Sequence, residues 1–122
     1  MWIRKLLTCI GSYWAPCTLF LLAAITVVSL SPLPRLPETA PGDDKTLHFI
    51  AYAALVFPVS LRRPKYWGWL GLFFMAYSGI IEVLQPYVNR HGEWVDLAAN
   101  TTGLVCGLLA ASALRRLSSV RF

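Results

Sequence analysis

Charge is scarce in this chain. Only 14% of its 122 residues are Asp, Glu, Lys or Arg, while 57% are hydrophobic and the mean hydropathy is +0.56. An ordinary soluble domain carries about 25% charged residues. The deficit excludes a small soluble fold, because a chain this short cannot hide so much apolar surface from water. Cysteine is sparse and odd in number. Cys9, Cys17 and Cys106 form no C-x-x-C pair, which excludes a disulfide framework and a zinc knuckle and leaves them as small apolar packing residues. G-x-S-x-G, P-loop and H-E-x-x-H motifs are all missing, so no ready-made nucleophile, phosphate cradle or metalloprotease site is present. No repeat or low-complexity tract divides the chain, and residues 1–122 read as one domain.

What the sequence does have is long uncharged runs. They extend between Lys5 and Arg35, from Thr46 to Leu61, from Tyr66 to Ile81 and from Leu97 to Leu114. The second and third cover only ~24 Å as helices, so their polar ends must help them across a ~30 Å hydrocarbon core. Four such runs, with little polar sequence left to cover them, predict an all-α membrane protein: a bundle of four transmembrane helices at about 10–31, 45–61, 66–85 and 96–114. The first run also has the outline of a signal peptide ending near VVSLSP, but it is longer than an h-region, and it is read here as a span.

The formal net charge of +5 comes with a particular placement. Arg4 and Lys5, then Arg62, Arg63 and Lys65, then Arg115, Arg116 and Arg121 form three clusters, and alternating spans put all three on one side. The positive-inside rule makes that side cytoplasmic, with both termini. A basic chain of this pattern is not read as a nucleic-acid binder. Arg35, Lys45 and Arg90 fall on the opposite side with Glu38, Asp43, Asp44, Glu93 and Asp96. Trp67, Trp69, Tyr87 and Trp94 sit where interfacial anchors are expected. The segment SPLPRLPETAPGDD holds four of the eight prolines and predicts an extended non-cytoplasmic loop. Pro58 is expected to bend the second span, and Pro86 to end the third.

The remaining polar residues fall into register. Asp44, His48 and Tyr52 repeat at i, i+4 and i+8 on one helix face, with Lys45 beside them. Ser78, Glu82 and Gln85 share a face of the third span, and Asp96, Asn100, Gly103 and Gly107 a face of the fourth. His48 and Asn100 each lie four residues, or ~6 Å, inside a carboxylate at the mouth. Glu82 is placed to meet them. A carboxylate inside a bilayer costs on the order of 2.5 to 3.5 kcal/mol near mid-span, so it faces partners or water. Gly103 and Gly107 have the GxxxG spacing that lets a neighbouring helix approach closely.

The ordered set DKTLHFIAYAAL followed by EVLQPYVNRHGEWVDLAANTTGLVCG resembles the VanZ-like family of small membrane proteins, named for a member associated with teicoplanin resistance. Asp44, Lys45, His48, Tyr52, Glu82, Gln85, Arg90, Asp96, Asn100, Gly103 and Gly107 match the family pattern in order. The resemblance implies a multi-pass fold in the bacterial cytoplasmic membrane and a polar cluster facing the cell exterior. It brings no known reaction with it.

Three readings of that cluster follow. In the first, Asp44, Lys45, His48, Tyr52, Glu82, Gln85, Arg90, Asp96 and Asn100 line a site for an amphiphile with a charged head group, such as a lipid-linked cell-envelope intermediate. Arg90 and Lys45 attract phosphate there, and the carboxylates take sugar hydroxyls or amines. In the second, a membrane enzyme uses His48 and Glu82 as acid and base with Asp96 in support, although no nucleophile motif accompanies them. In the third, the polar groups only hold the helices together. No cofactor is expected, and no metal, because His48 and His91 lie in different segments. Membrane lipids are the expected partners; the sequence leaves the oligomeric state open.

Overall fold

The computed structural model describes residues 2–30, 43–88 and 94–122. Among them every regular element is helical: α1 (Trp2–Ser12), α2 (Trp14–Leu30), α3 (Asp43–Arg62), α4 (Trp67–Leu84) followed by a 3₁₀ turn (Gln85–Val88), and α5 (Trp94–Ser118). The proline-rich loop expected at 31–42 lies outside the described residues, as do 89–93 with Arg90 and His91.

The first uncharged run is not one straight span. It breaks at Tyr13, and α1 and α2 meet at 72°. Pro16 supplies a cause. It stands in the first turn of α2, where a missing N–H costs nothing, but its ring crowds the carbonyl of residue i−4, Ser12, and ends the preceding helix there. Two segments are long and apolar enough to cross a membrane, Trp67–Tyr87 and Trp94–Ser118, or three if the bent α1–α2 pair counts as one. The apolar part of α3, Thr46–Arg62, is shorter. α3 continues as helix through Pro58, and the 3₁₀ turn carries Pro86.

α3 is nevertheless the helix that the others share. It touches α1, α2, α4 and α5, and its pairing with α5 is the most extensive. Gly103 of α5 sits against the backbone of Phe49, and Gly107 against that of Ala53. A Cβ at either glycine would overlap a carbonyl oxygen of α3. The pairs 103 with 49 and 107 with 53 progress together, so the two helices run parallel. α4 connects the two in sequence, joined to α3 by residues 63–66, in which Arg63 and Tyr66 take the left-handed conformation (φ 53° and 66°).

Two apolar clusters fill the interior. Ile25, Tyr52, Leu55, Val56, Val59, Phe74 and Leu104 join α2 to α5 around α3, and Leu7, Leu61, Ala111 and Val120 close one end. That end also holds the basic clusters. Arg115 donates from Nη1 to the carbonyl of Leu61 at 3.1 Å, capping an orphan acceptor of α3, and Arg63 donates from Nη2 to Ser112 Oγ at 2.9 Å. The outer surface is apolar: Leu72, Phe73, Ile80 and Val83 of α4 and Val105 and Leu109 of α5 are exposed, whereas Ser78, Glu82, Asp96 and Asn100 are buried.

Because Gly103 meets backbone rather than a movable side chain, Gly103→Ala should cost about 1–3 kcal/mol of stability, the usual range for overpacking. Reversible unfolding in mixed detergent micelles measures it. Gly79→Ala, which faces open space, should be neutral or slightly stabilising.

Candidate functional site

At the end opposite the basic clusters, three helices bring polar groups to one level. α3 contributes His48 and Tyr52 from its first turns, α4 contributes Ser78 and Glu82 near its end, with Gln85 in the turn that follows, and α5 contributes Asp96 and Asn100 from its start. Helical spacing puts each set on one face, and the glycine contact between α3 and α5 fixes how near the two sets come. Asp96 stands in the first turn of α5, where the positive end of the helix dipole favours a carboxylate.

Asn100 is the hub. It is fully buried, its Nδ2 donates to Ser78 Oγ at 2.8 Å, and its Oδ1 lies 3.1 Å from His48 Nδ1. A carboxamide oxygen only accepts, so His48 must carry its proton on Nδ1. The second ring nitrogen, Nε2, is then an acceptor in the neutral imidazole and a donor in the cation. Three helices are thus tied through one side chain.

Around this chain the layer thickens. Tyr52 is 1% exposed and stands beside Ser78, with Glu82 as an electrostatic neighbour. Glu82 and Asp96 are both buried, at 8% and 3% exposure. Gln85 donates from Nε2 to the Ser29 carbonyl at 3.4 Å, which ties the end of α2 to the layer, while its Oε1 has no partner among the described residues. Tyr77 donates to the Leu22 carbonyl at 3.2 Å, a second tie to α2.

Asp44 and Lys45 stand in the first turn of α3, one turn from His48, with side chains outside the described ones. Arg90 lies wholly outside the described residues. Gly103 and Gly107 are buried on the α3–α5 seam rather than in the polar layer. Among the described residues no three His, Cys, Asp or Glu side chains come together to hold a metal ion. Sequence reasoning gave Ser78 a face but no partner, and it missed the two carbonyls of α2. The i+4 spacing from Ser78 to Glu82 was the available signal for the serine; a backbone carbonyl leaves none.

In chemical terms the layer pairs an imidazole of half-buried access with two carboxyl groups, a phenol and two carboxamides. Such a set is rich in acceptors, the chemistry that amines and hydroxyls pair with.

A protein-family model described as VanZ/LLP1 matches residues 44–115, well over half of the chain and all of the polar layer that α3, α4 and α5 supply. No curated protein and no solved structure matches the chain.

Asn100→Leu removes both hydrogen bonds of the hub while filling similar space. Intramembrane hydrogen bonds average about 0.6 kcal/mol and reach about 1.7, so the variant should lose roughly 1–3 kcal/mol in detergent unfolding. Thr102→Val, which loses only a bond to its own helix at the Ala98 carbonyl, should change stability by under about 0.5 kcal/mol.

Proposed function

The chain belongs to the VanZ/LLP1 family, and from that premise we propose that it is a multi-pass protein of the bacterial cytoplasmic membrane. Its polar layer binds a cell-envelope amphiphile, such as a lipid-linked intermediate of wall synthesis, at the non-cytoplasmic face. α2, α3, α4 and α5 are the four spans, both termini are cytoplasmic, and residues 1–122 act as one domain. A link to teicoplanin susceptibility follows for members that handle such intermediates.

One observation carries the reading. The polar side chains of three helices are buried at one end, the basic clusters lie at the other, and the surface between is apolar. A soluble protein has the reverse arrangement, with polar groups outside. The positive-inside rule orients the basic end to the cytoplasm and therefore turns His48, Glu82 and Asp96 outward. Their chemistry suits a head group rich in hydroxyls or amines, and Lys45 and Arg90 are the cations of the matched segment that would meet a phosphate.

Topology is checked with single cysteines in a background lacking Cys9, Cys17 and Cys106. Lys65→Cys should react with an impermeant thiol reagent only in inverted vesicles, and Asn89→Cys only in intact cells. Labelling of both from outside rejects the four-span arrangement.

Binding is checked with charge-removing variants of the same shape. Glu82→Gln and Asp96→Asn keep volume and most hydrogen-bonding capacity, so a scaffold should tolerate them or gain stability. In a binding site they should leave unfolding unchanged within about 1 kcal/mol yet lose at least ten-fold in affinity for a lipid-linked saccharide phosphate. Full binding by both variants would return the layer to a packing role.

A further inference from the structure

α1 takes no part in the polar layer. It packs at the basic end, where Leu7 and Gly11 are buried against Leu61, Ala111, Val120 and the ring of Phe122. Three faces emerge at 100° per residue. Leu7 and Gly11 face the bundle, and Trp2, Leu6 and Tyr13 form an apolar flank that stays exposed, at 72%, 50% and 61%. Arg4, Thr8 and Ser12 make a row at i, i+4 and i+8, with Lys5 beside it, and all four are exposed. This third face lines an open concavity of about 640 Å³ that runs from Arg4 to the bend at Tyr13.

We propose that this concavity binds the phosphate head group of an anionic phospholipid, with α1 lying in the interface of the leaflet at the basic end. The inference rests on the membrane reading above, because it needs α2 to cross the bilayer. Given that, the 72° bend turns α1 away from the span and toward the membrane plane. Its two outer flanks then separate by polarity. Trp2 and Leu6 enter the acyl boundary, the basic row faces the head groups, and Tyr13 stands at the bend between them, the division an interfacial helix requires. Arg4 and Lys5 supply charge, and the Thr8 and Ser12 hydroxyls supply donors to phosphate oxygens. No acidic residue occurs in the sequence before Glu38 to neutralise the pair. Two cations and two hydroxyls on one helix face offer a phosphate several donors at once, which distinguishes this face from a diffuse basic surface.

The test uses the full chain in neutral detergent, with phosphatidylglycerol and phosphatidylcholine titrated separately and bound lipid counted by native mass spectrometry. The wild type should retain phosphatidylglycerol over phosphatidylcholine. Each basic residue near an anionic surface contributes about five-fold, so Arg4→Gln with Lys5→Gln should weaken phosphatidylglycerol roughly thirty-fold and leave phosphatidylcholine unchanged. Arg116→Gln with Arg121→Gln removes the same charge elsewhere on the basic end and should change it less than three-fold. Equal weakening by the two pairs, or no preference in the wild type, overturns the site. Displacement of the lipid by inorganic phosphate at equal affinity overturns the lipid assignment. Arg4→Gln with Lys5→Gln should retain wild-type binding of a lipid-linked saccharide phosphate, so failure of the outward-facing pocket and failure of this site give different results.

Discussion

The rest of the structure depends on how closely α5 lies on α3. Within a bilayer there is no hydrophobic effect to press helices together, so association rests on van der Waals contact and hydrogen bonds, and both fall off within an ångström or two. Gly103 and Gly107 let α5 reach the carbonyls of Phe49 and Ala53 themselves. That approach brings Oδ1 of Asn100 to 3.1 Å from His48 at one end of the seam. At the other end it brings Arg115 to the Leu61 carbonyl at 3.1 Å and Ser112 to Arg63 at 2.9 Å. A side chain at either glycine would lever both ends apart at once.

This arrangement assigns unequal duties to the helices. α4 with its 3₁₀ turn and α5 are long and apolar enough to cross a membrane, and they expose much of their large hydrophobic surface. α3 is shorter in its apolar part and begins with three charged residues, yet it carries Tyr52, Leu55, Val56, Val59 and Leu61 into the interior. A helix surrounded by others needs less apolar length than one facing lipid, because its neighbours rather than hydrocarbon satisfy its flanks. The tight link through Arg63 and Tyr66 holds α4 against it. There Arg63 is kept in a left-handed cap by a 2.8 Å bond from its N–H to the Val59 carbonyl, with its guanidinium over the Trp67 ring at 5.0 Å.

Charge spacing made most of the helix layout legible. α4 and α5 fall close to the runs expected at 66–85 and 96–114, because a charge at each end of an apolar stretch marks where a helix must leave its apolar surroundings. The break at Tyr13 was hidden for the same reason: no charge marks it, and its cause, Pro16, acts through the backbone of the turn before it. The family was legible from the ordered polar residues, which lie inside the matched segment. Periodicity told which residues share a face, and those faces meet around Asn100. It could not say that Asn100 would bond Ser78 and His48 together, since pairing depends on the relative height of two helices. Nor could it reveal α2 as a partner, because the carbonyls of Leu22 and Ser29 have no side-chain signature.

The composition of the layer bears on what it is for. Counting by chemistry, its acceptors are two carboxylates and two carboxamide oxygens, while its donors are two carboxamide nitrogens, two hydroxyls and the imidazole. Three of those donor groups are engaged, among them Asn100 Nδ2 with Ser78 and Gln85 Nε2 with α2. His48 Nδ1 goes to Asn100. A scaffold of helices gains about as much from neutral serine and asparagine pairs as from ionisable ones, and it avoids the cost of burying carboxylates. Glu82 and Asp96 are buried all the same, within one hydrogen-bonded layer that an imidazole reaches from its accessible side. On the proposed reading that acceptor-rich composition is the site's chemical content, and it suits a head group that brings its own hydroxyl or ammonium donors.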